Sequence, residues 1–164
     1  MFQAPKAPFL LAGAALFSLL AAGPQASGEE AAEGAQAFAH RFLKAFARND
    51  FETVSSLFAA GATVSGIWLA QKAPRPFHLS AEAWVSTVEK EHKQLQDVRI
   101  RILESSQHSF DEGTVVAQRF VQTGKAGGKA FTNNGVESYL LSPDGEGGWK
   151  ILHYAYMEKF AFDP

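Results

Sequence analysis

Apolar residues recur every three or four positions over residues 33–48, and this spacing predicts an amphipathic helix. The positions on its apolar face are Ala35, Phe38, Ala39, Phe42, Ala45 and Phe46. Asp50 is placed to cap a second, short helix with the same spacing, which we expect to end at Gly61. Ser80 is placed to cap a third helix over residues 81–95. Three helices are therefore predicted before the middle of the chain.

Beyond Asp97 the apolar spacing changes to every second residue, which is typical of strands. Glycine-containing turns divide this part into four long predicted strands, 98–109, 114–124, 129–142 and 148–161. We expect successive strands to pair as antiparallel hairpins. An earlier apolar run predicts a strand over residues 62–70, and the proline-containing segment 72–78 predicts a loop after it. Helices followed by a meander of strands indicate the α+β fold class.

Composition limits the classes of partner. The chain has 164 residues and 46% hydrophobic content, which suits one globular domain. Its 15 basic and 17 acidic residues give a net charge of −2, without the basic surface that a phosphate backbone requires. We therefore expect no nucleic-acid partner.

The first residues have the order of a secretory signal. Lys6 precedes an apolar run from Phe9 to Ala22, and small residues follow around Gly28. This order predicts a signal peptide over residues 1–28 and a periplasmic or secreted domain over residues 29–164, without membrane contact after cleavage. An uncleaved anchor is the alternative, although the run of about 14 residues is shorter than the roughly 20 that span a bilayer. Because the chain has no cysteine, disulfides and a lipidated cysteine are excluded.

Three phrases carry a resemblance to a known family. They are FLKAFARNDFETVSSLFAAGATVSG, HLSAEAW and GGWKILHYAYME, in that order. Residues 33–160 resemble the SnoaL-like branch of the nuclear transport factor 2-like superfamily, which also contains the ketosteroid isomerases. The resemblance implies a cone-shaped α+β barrel with three N-terminal helices packed on a curved antiparallel sheet. It also implies a mostly apolar cavity and frequent dimerisation through the outer sheet face, but no single function.

The isomerase pattern is only partly present. Its oxyanion-donating tyrosine falls at Phe42 and its proton-shuttling aspartate at Gly66, and neither residue can perform that role. The third position of the pattern, an acid on the penultimate strand, falls at Glu137. A carboxyl in an apolar cavity would have a raised pKa and could remain a proton donor.

Alternation along the last two strands places His153 beside Glu137. It predicts that His153 shares the cavity-facing side with Met157, and that Glu137 shares its side with Asn133 and Tyr139. If the two strands form a hairpin, Glu137 and His153 lie on one concave face and could act as acid and base. The alternative is a hydrogen-bonded core histidine beside a structural carboxylate.

The sequence also suggests residues that would contact a ligand in the cavity and residues that would form a dimer interface. We predict ligand contacts from Phe42, Trp68, Trp84, Asn133, Tyr139 and Met157. The opposite face of the last strand predicts a homodimer interface through Leu152, Tyr154, Tyr156 and Phe160. The five histidines lack the spacing of a metal site, so neither a metal nor a cofactor is expected.

Two functions follow from these residues. The first is an exported, non-catalytic module that binds a small, largely apolar molecule. The second is an isomerase, dehydratase or hydrolase that uses His153 and Glu137 on a hydrophobic substrate. The residues at positions 42 and 66 favour the first.

Overall fold

A computed structural model describes residues 33–69 and 74–163 of the protein. The predicted signal peptide lies outside the described residues. The elements, in chain order, are α1 (Ala35–Ala47), α2 (Phe51–Ser56), β1 (Phe58–Leu69), β2 (Pro74–Ser80), α3 (Ala81–His92), β3 (Leu95–Phe110), β4 (Gly113–Ala126), β5 (Lys129–Pro143) and β6 (Trp149–Phe162).

Side-chain hydrogen bonds cap the N-termini of α2 and α3 at the residues that the sequence predicts. The Asp50 carboxylate accepts a hydrogen bond from the Thr53 backbone N–H, and the Ser80 hydroxyl accepts one from Ala83. The second helix is shorter than expected. It ends at Ser56 because the chain turns at once into β1, and the carbonyl of the C-cap residue Leu57 accepts a hydrogen bond from the backbone N–H of Ile151.

The strands form one six-stranded mixed sheet in the order β2-β1-β6-β5-β4-β3. The predicted hairpins β3-β4, β4-β5 and β5-β6 are confirmed as antiparallel pairs. The β1 strand instead runs parallel to β6, so the sheet is not wholly antiparallel. Three helices on a curved sheet confirm the predicted α+β class.

The loop predicted for residues 72–78 is wrong from Pro74 onward, because Pro74–Ser80 forms β2. This strand pairs with β1 on one side only, at the edge of the sheet. A proline cannot donate to a ladder but is tolerated on an edge strand, so the prolines at positions 74 and 76 do not prevent pairing.

A bulge in β6 reverses the predicted orientation of its side chains. Leu141 pairs with Ile151, but its neighbour Leu140 pairs with His153, so Leu152 is an extra residue. From His153 onward every side chain therefore points to the face opposite the one that strict alternation predicts.

Because of the bulge, the predicted dimer surface is also wrong. Tyr154 and Tyr156 are buried against the concave face, and Phe160 lines the cavity on that side. Of the four residues predicted for the interface, only Leu152 is exposed away from the cavity. Hence the expected surface does not exist as one apolar patch.

The core lies between the helices and the concave face of the sheet. Phe42 of α1 is 1% exposed and stands at its centre. Trp84 of α3 packs beside Phe42 at a ring distance of 6.3 Å. Within the described part of the chain, no helix has the length and apolar character needed to cross a membrane.

Candidate functional site

A cavity of about 200 Å³ opens between α1, α3 and the concave face of the sheet. Eight aromatic side chains line its wall, namely Phe46, Trp68, Trp84, Phe120, Phe131, Tyr154, Tyr156 and Phe160. An engineered apolar cavity of about 150 Å³ in another protein holds benzene. The present cavity therefore has room for one ring with a short substituent.

Cross-strand pairs of glycine and phenylalanine shape the concave face. Phe120 pairs directly with Gly135, and Phe131 pairs with Gly124. In each pair, a Cβ added to the glycine would collide with the phenylalanine ring. Glycine at these positions therefore lets the rings lie across the sheet, and the volume above them stays open as cavity.

Glu137 is the most deeply buried acid in the cavity wall. It is 4% exposed, and the Tyr154 hydroxyl donates to its Oε2 at 2.8 Å. Its Oε1 has no hydrogen-bond partner among the described residues. Burial raises the pKa of Glu137 to about 7, and the nearby Tyr154 and Tyr139 hydroxyls only partly oppose this shift. The carboxyl is thus poised between its neutral and ionised forms near neutral pH.

A chain of hydrogen bonds runs along another side of the cavity. The Asn133 amide nitrogen donates to Glu158 Oε2 at 2.6 Å and to Gln122 Oε1 at 3.2 Å. Gln122 Nε2 lies 3.5 Å from His92 Nε2, and His92 Nδ1 lies 2.8 Å from Asn49 Oδ1. Since the amide nitrogen of Gln122 can only donate, the proton of a neutral His92 belongs on Nδ1, where it reaches Asn49.

Burial shifts the pKa of both ionisable groups in this chain. It lowers the pKa of His92 to about 4, so the imidazole is neutral at pH 7. Burial also raises the pKa of Glu158, with Asn133 opposing and Glu91 reinforcing the shift. The cavity wall therefore carries acids and a neutral histidine.

The structure brings four of the eight predicted site residues to the cavity wall. They are Trp68, Trp84, Asn133 and Glu137. Phe42 and Tyr139 are fully buried behind the wall, where Tyr139 stacks on Tyr154 at 5.0 Å. These two residues support lining rings.

The prediction that His153 and Met157 face the cavity with Glu137 is wrong. The bulge at Leu152 turns both side chains to the outer face, where Met157 is 40% exposed. Glu137 instead pairs across the strands with Tyr156. An acid–base pair of Glu137 and His153 is therefore not formed.

His153 has its own polar surroundings on the outer face. The Thr63 hydroxyl lies 2.8 Å from its Nδ1, and the Ser65 hydroxyl lies 3.1 Å from its Nε2. Burial lowers the pKa of His153, and the nearby His78 lowers it further. Glu137, which the sequence predicts on the same face, does not contribute to this shift of the His153 pKa.

Residues missed by sequence reasoning include Tyr154, Tyr156, Glu158 and His92. The first three follow from the bulge, which leaves no mark in the apolar pattern. A signal for His92 was present, because Trp84, Val88 and His92 recur every four residues on one face of α3.

The described residues were predicted from the sequence to lack a metal site. They contain no group of three or more histidine, cysteine, aspartate or glutamate side chains that could hold an ion.

Residues 35–156 match the family model of the SnoaL-like domain. No curated protein sequence matches the chain. The match runs from α1 into β6 and ends before the cavity residues Glu158 and Phe160.

Solved structures share the fold at low sequence identity. A ketosteroid isomerase-like protein from Erwinia carotovora atroseptica is 17% identical, with a TM-score of 0.58 over 75% of this chain and 92% of its own. An NTF2-like protein with a cystatin-like fold from Novosphingobium aromaticivorans is 10% identical, with a TM-score of 0.56 over 73% and 76%. The beta subunit of the benzoate 1,2-dioxygenase from Burkholderia mallei is 14% identical, with a TM-score of 0.55 over 76% and 87%. At these identities the similarity establishes the fold alone.

Proposed function

Because the chain belongs to the SnoaL-like domain family, we propose that it is an exported binding protein whose cavity holds a small, largely apolar molecule. The observation that carries this proposal is an aromatic wall interrupted by one deeply buried carboxyl with an unpartnered oxygen. Apolar cavities with a few convergent polar groups are the usual form of small-molecule sites.

Glu137 provides the polar anchor in this proposal. A hydrogen bond from the ligand to its Oε1 would satisfy the atom that lacks a partner. Such a contact in a buried site contributes about 1–3 kcal/mol, which corresponds to roughly five- to 150-fold in affinity. The surrounding rings supply the apolar contact area, and the anchor sets the orientation.

Methyl NMR tests the proposal with benzyl alcohol as the probe. We expect concentration-dependent shifts for the methyl groups of cavity residues Leu43, Val88 and Ile100, because a ring in the cavity would lie against them. Methyl groups of Ile67 and Leu140, which are exposed on the outer sheet face, are the internal control and should not shift.

Two results would contradict binding in the cavity. One is the absence of any shift at concentrations up to the solubility limit of the probe. The other is a set of equal shifts on both faces of the sheet, which would indicate non-specific contact.

A second candidate function is favoured by the pKa of Glu137. A carboxyl with a pKa of about 7 can both accept and return a proton near neutral pH. In this version Glu137 acts without His153 and isomerises a one-ring ketone. Conversion of 3-cyclohexenone to 2-cyclohexenone that disappears in Glu137→Gln would support it, whereas binding without conversion supports the binding module.

We also propose that the protein is exported from the cytoplasm. The order of charge, apolar run and small residues in residues 1–28 supports a periplasmic or secreted mature domain. We expect N-terminal sequencing of the protein from the extracytoplasmic fraction to begin near Glu29. Membrane-held protein that retains Met1 would contradict cleavage.

Homodimer formation is proposed through a different outer surface from the one the sequence predicts. Ile67, Met157 and Val136 are directly paired neighbours across three strands, and each is 36–40% exposed. Burial of this patch against a second copy would remove apolar area from water. Light scattering should give twice the monomer mass, and Met157→Glu should give the monomer. Leu103→Glu, at an equally exposed site on the other edge strand, is the matched control and should remain dimeric.

A further inference from the structure

We propose that the ligand of the cavity is an organic cation, an ammonium group carried on a small apolar ring or chain, with Glu137 as its counter-ion. This inference rests on the proposed function, because it names the chemical class of molecule that the same cavity takes. Its support comes from the charges of the wall, the unpartnered atoms in it and the rings around them.

The charges that line the cavity have one sign. Glu91, Glu137 and Glu158 contribute carboxyls, and the described lining includes no lysine or arginine. His92 in the same wall is buried and hydrogen-bonded to Asn49. An anionic ligand would be repelled by the ionised carboxyls, and a neutral ligand would leave each ionised carboxyl without a counter-ion. A cation removes both costs.

Two unpartnered polar atoms of the lining residues are acceptors, and the unpartnered hydroxyl of Tyr139 lies behind the wall. Glu137 Oε1 is buried and has no hydrogen-bond partner in the described chain, and neither has Asn133 Oδ1. The identity of the Asn133 oxygen follows from its neighbours. An ionised carboxylate only accepts, so the Asn133 amide nitrogen faces Glu158 when that carboxyl is ionised, which leaves Oδ1 without a donor.

An ammonium group matches these acceptors. It has three donors and no acceptor, whereas a carbonyl or carboxylate would bring more acceptors into a wall that already has an excess. The hydrogen bond from Tyr154 to Oε2 fixes the orientation of the Glu137 carboxyl, and therefore also the position of Oε1. The counter-ion is thus oriented before a ligand enters.

Aromatic rings surround the same space. Trp68, Trp84 and Tyr156 line the cavity, and the Trp84 indole N–H donates to the Tyr156 hydroxyl at 3.1 Å. This bond engages the N–H edge of the indole ring rather than its faces. The negative face of an aromatic ring attracts a cation, most strongly for tryptophan. The wall can therefore stabilise a cation and bury its apolar part at once.

Calorimetric titration with three one-ring probes of similar size tests the inference. Benzylamine is a cation near pH 8, benzyl alcohol is neutral and benzoate is an anion. We expect benzylamine to bind about tenfold more tightly than benzyl alcohol, and benzoate to bind most weakly. Glu137→Gln should bring the ratio of benzylamine to benzyl alcohol affinity to about one.

Glu104→Gln is the matched control. It removes the same charge from an exposed carboxylate that pairs with Arg119 at 2.8 Å on the outer face of the sheet. We expect this variant to keep the preference for benzylamine. Equal loss of the preference in both variants would mean that overall charge, rather than the cavity, attracts the cation, and this result would overturn the inference.

The outcomes separate the inference from the proposed function. If benzyl alcohol binds and benzylamine binds no more tightly, the inference fails while the binding function stands. If none of the three probes binds, the proposed function fails and the inference fails with it. Preference for benzylamine that persists in Glu137→Gln would exclude Glu137 as the counter-ion.

Discussion

Replacement of Phe42 by alanine is expected to lower the free energy of unfolding by about 3–5 kcal/mol. Phe42 is 1% exposed, so truncation of its ring leaves a cavity that the surrounding side chains cannot fill completely. The ring contacts others on both layers of the fold, namely Phe46, Phe58, Trp84, Tyr139 and Tyr154. The loss is large beside a typical stability of roughly 5–15 kcal/mol. Urea denaturation followed by circular dichroism measures it.

Phe110→Ala is the control for this experiment. Phe110 ends β3 and is 58% exposed, so its truncation should change the free energy of unfolding by less than about 0.5 kcal/mol. If Phe42→Ala also had so small an effect, α1 would not pack on the sheet as described. An effect restricted to Phe42 supports its place at the centre of the core.

Most elements of the fold were predictable because each has a local cause. Helical spacing and the caps at Asp50 and Ser80 predict the helices, and both caps are formed. Alternation with glycine turns predicts the three hairpins, whose pairing needs only neighbouring segments. The parallel pairing of β1 with β6 joins segments about 90 residues apart, and no local pattern contains that information.

Only half of the candidate site was predictable, for a specific reason. On β5, alternation is regular, and it correctly places Asn133, Glu137 and Tyr139 on one face. On β6, both possible faces carry large apolar residues, so the pattern cannot show which one is buried. The single extra residue at Leu152 then decides the orientation of Tyr154 and everything after it.

Gly66 illustrates a further limit of residue-by-residue comparison. The isomerase pattern places an aspartate at this position, and the sequence shows only that the side chain is missing. In the structure the ring of Phe77 on β2 occupies the space where a Cβ at position 66 would lie. The backbone carbonyl oxygen of Tyr156 lies still closer to that Cβ position, so a proton-transferring side chain cannot be restored there unless both Phe77 and the β6 backbone move.

We expect the buried Glu137 and His92 to change the stability of the protein with pH in opposite directions. Burial raises the pKa of Glu137 from 4.5 to about 7, so stability is lost as pH rises through this range, because the unfolded carboxyl ionises first. Burial lowers the pKa of His92 from 6.5 to about 4, so stability is lost as pH falls, because the unfolded imidazole takes up the proton first. Each shift corresponds to about 3 kcal/mol.

These two slopes nearly cancel in the native protein between pH 4.5 and 6.5, where both groups differ in protonation between the folded and unfolded states. The raised pKa of Glu158 adds to the slope of Glu137, and the lowered pKa of His153 adds to that of His92. We therefore expect the free energy of unfolding to vary little over this range. Urea denaturation at closely spaced pH values measures the profile.

Replacing either Glu137 or His92 should remove the cancellation, and the two variants should show pH slopes of opposite sign. In Glu137→Gln only Glu158 still opposes the histidine slope, so the free energy of unfolding should increase by up to about 3 kcal/mol from pH 4.5 to 6.5. In His92→Gln it should decrease by a similar amount, and the double variant should again show a shallow profile. A Glu137→Gln profile parallel to that of the native protein would mean that this carboxyl titrates as it does in the unfolded chain. The buried anchor on which both proposals depend would then be absent, whatever the cavity binds.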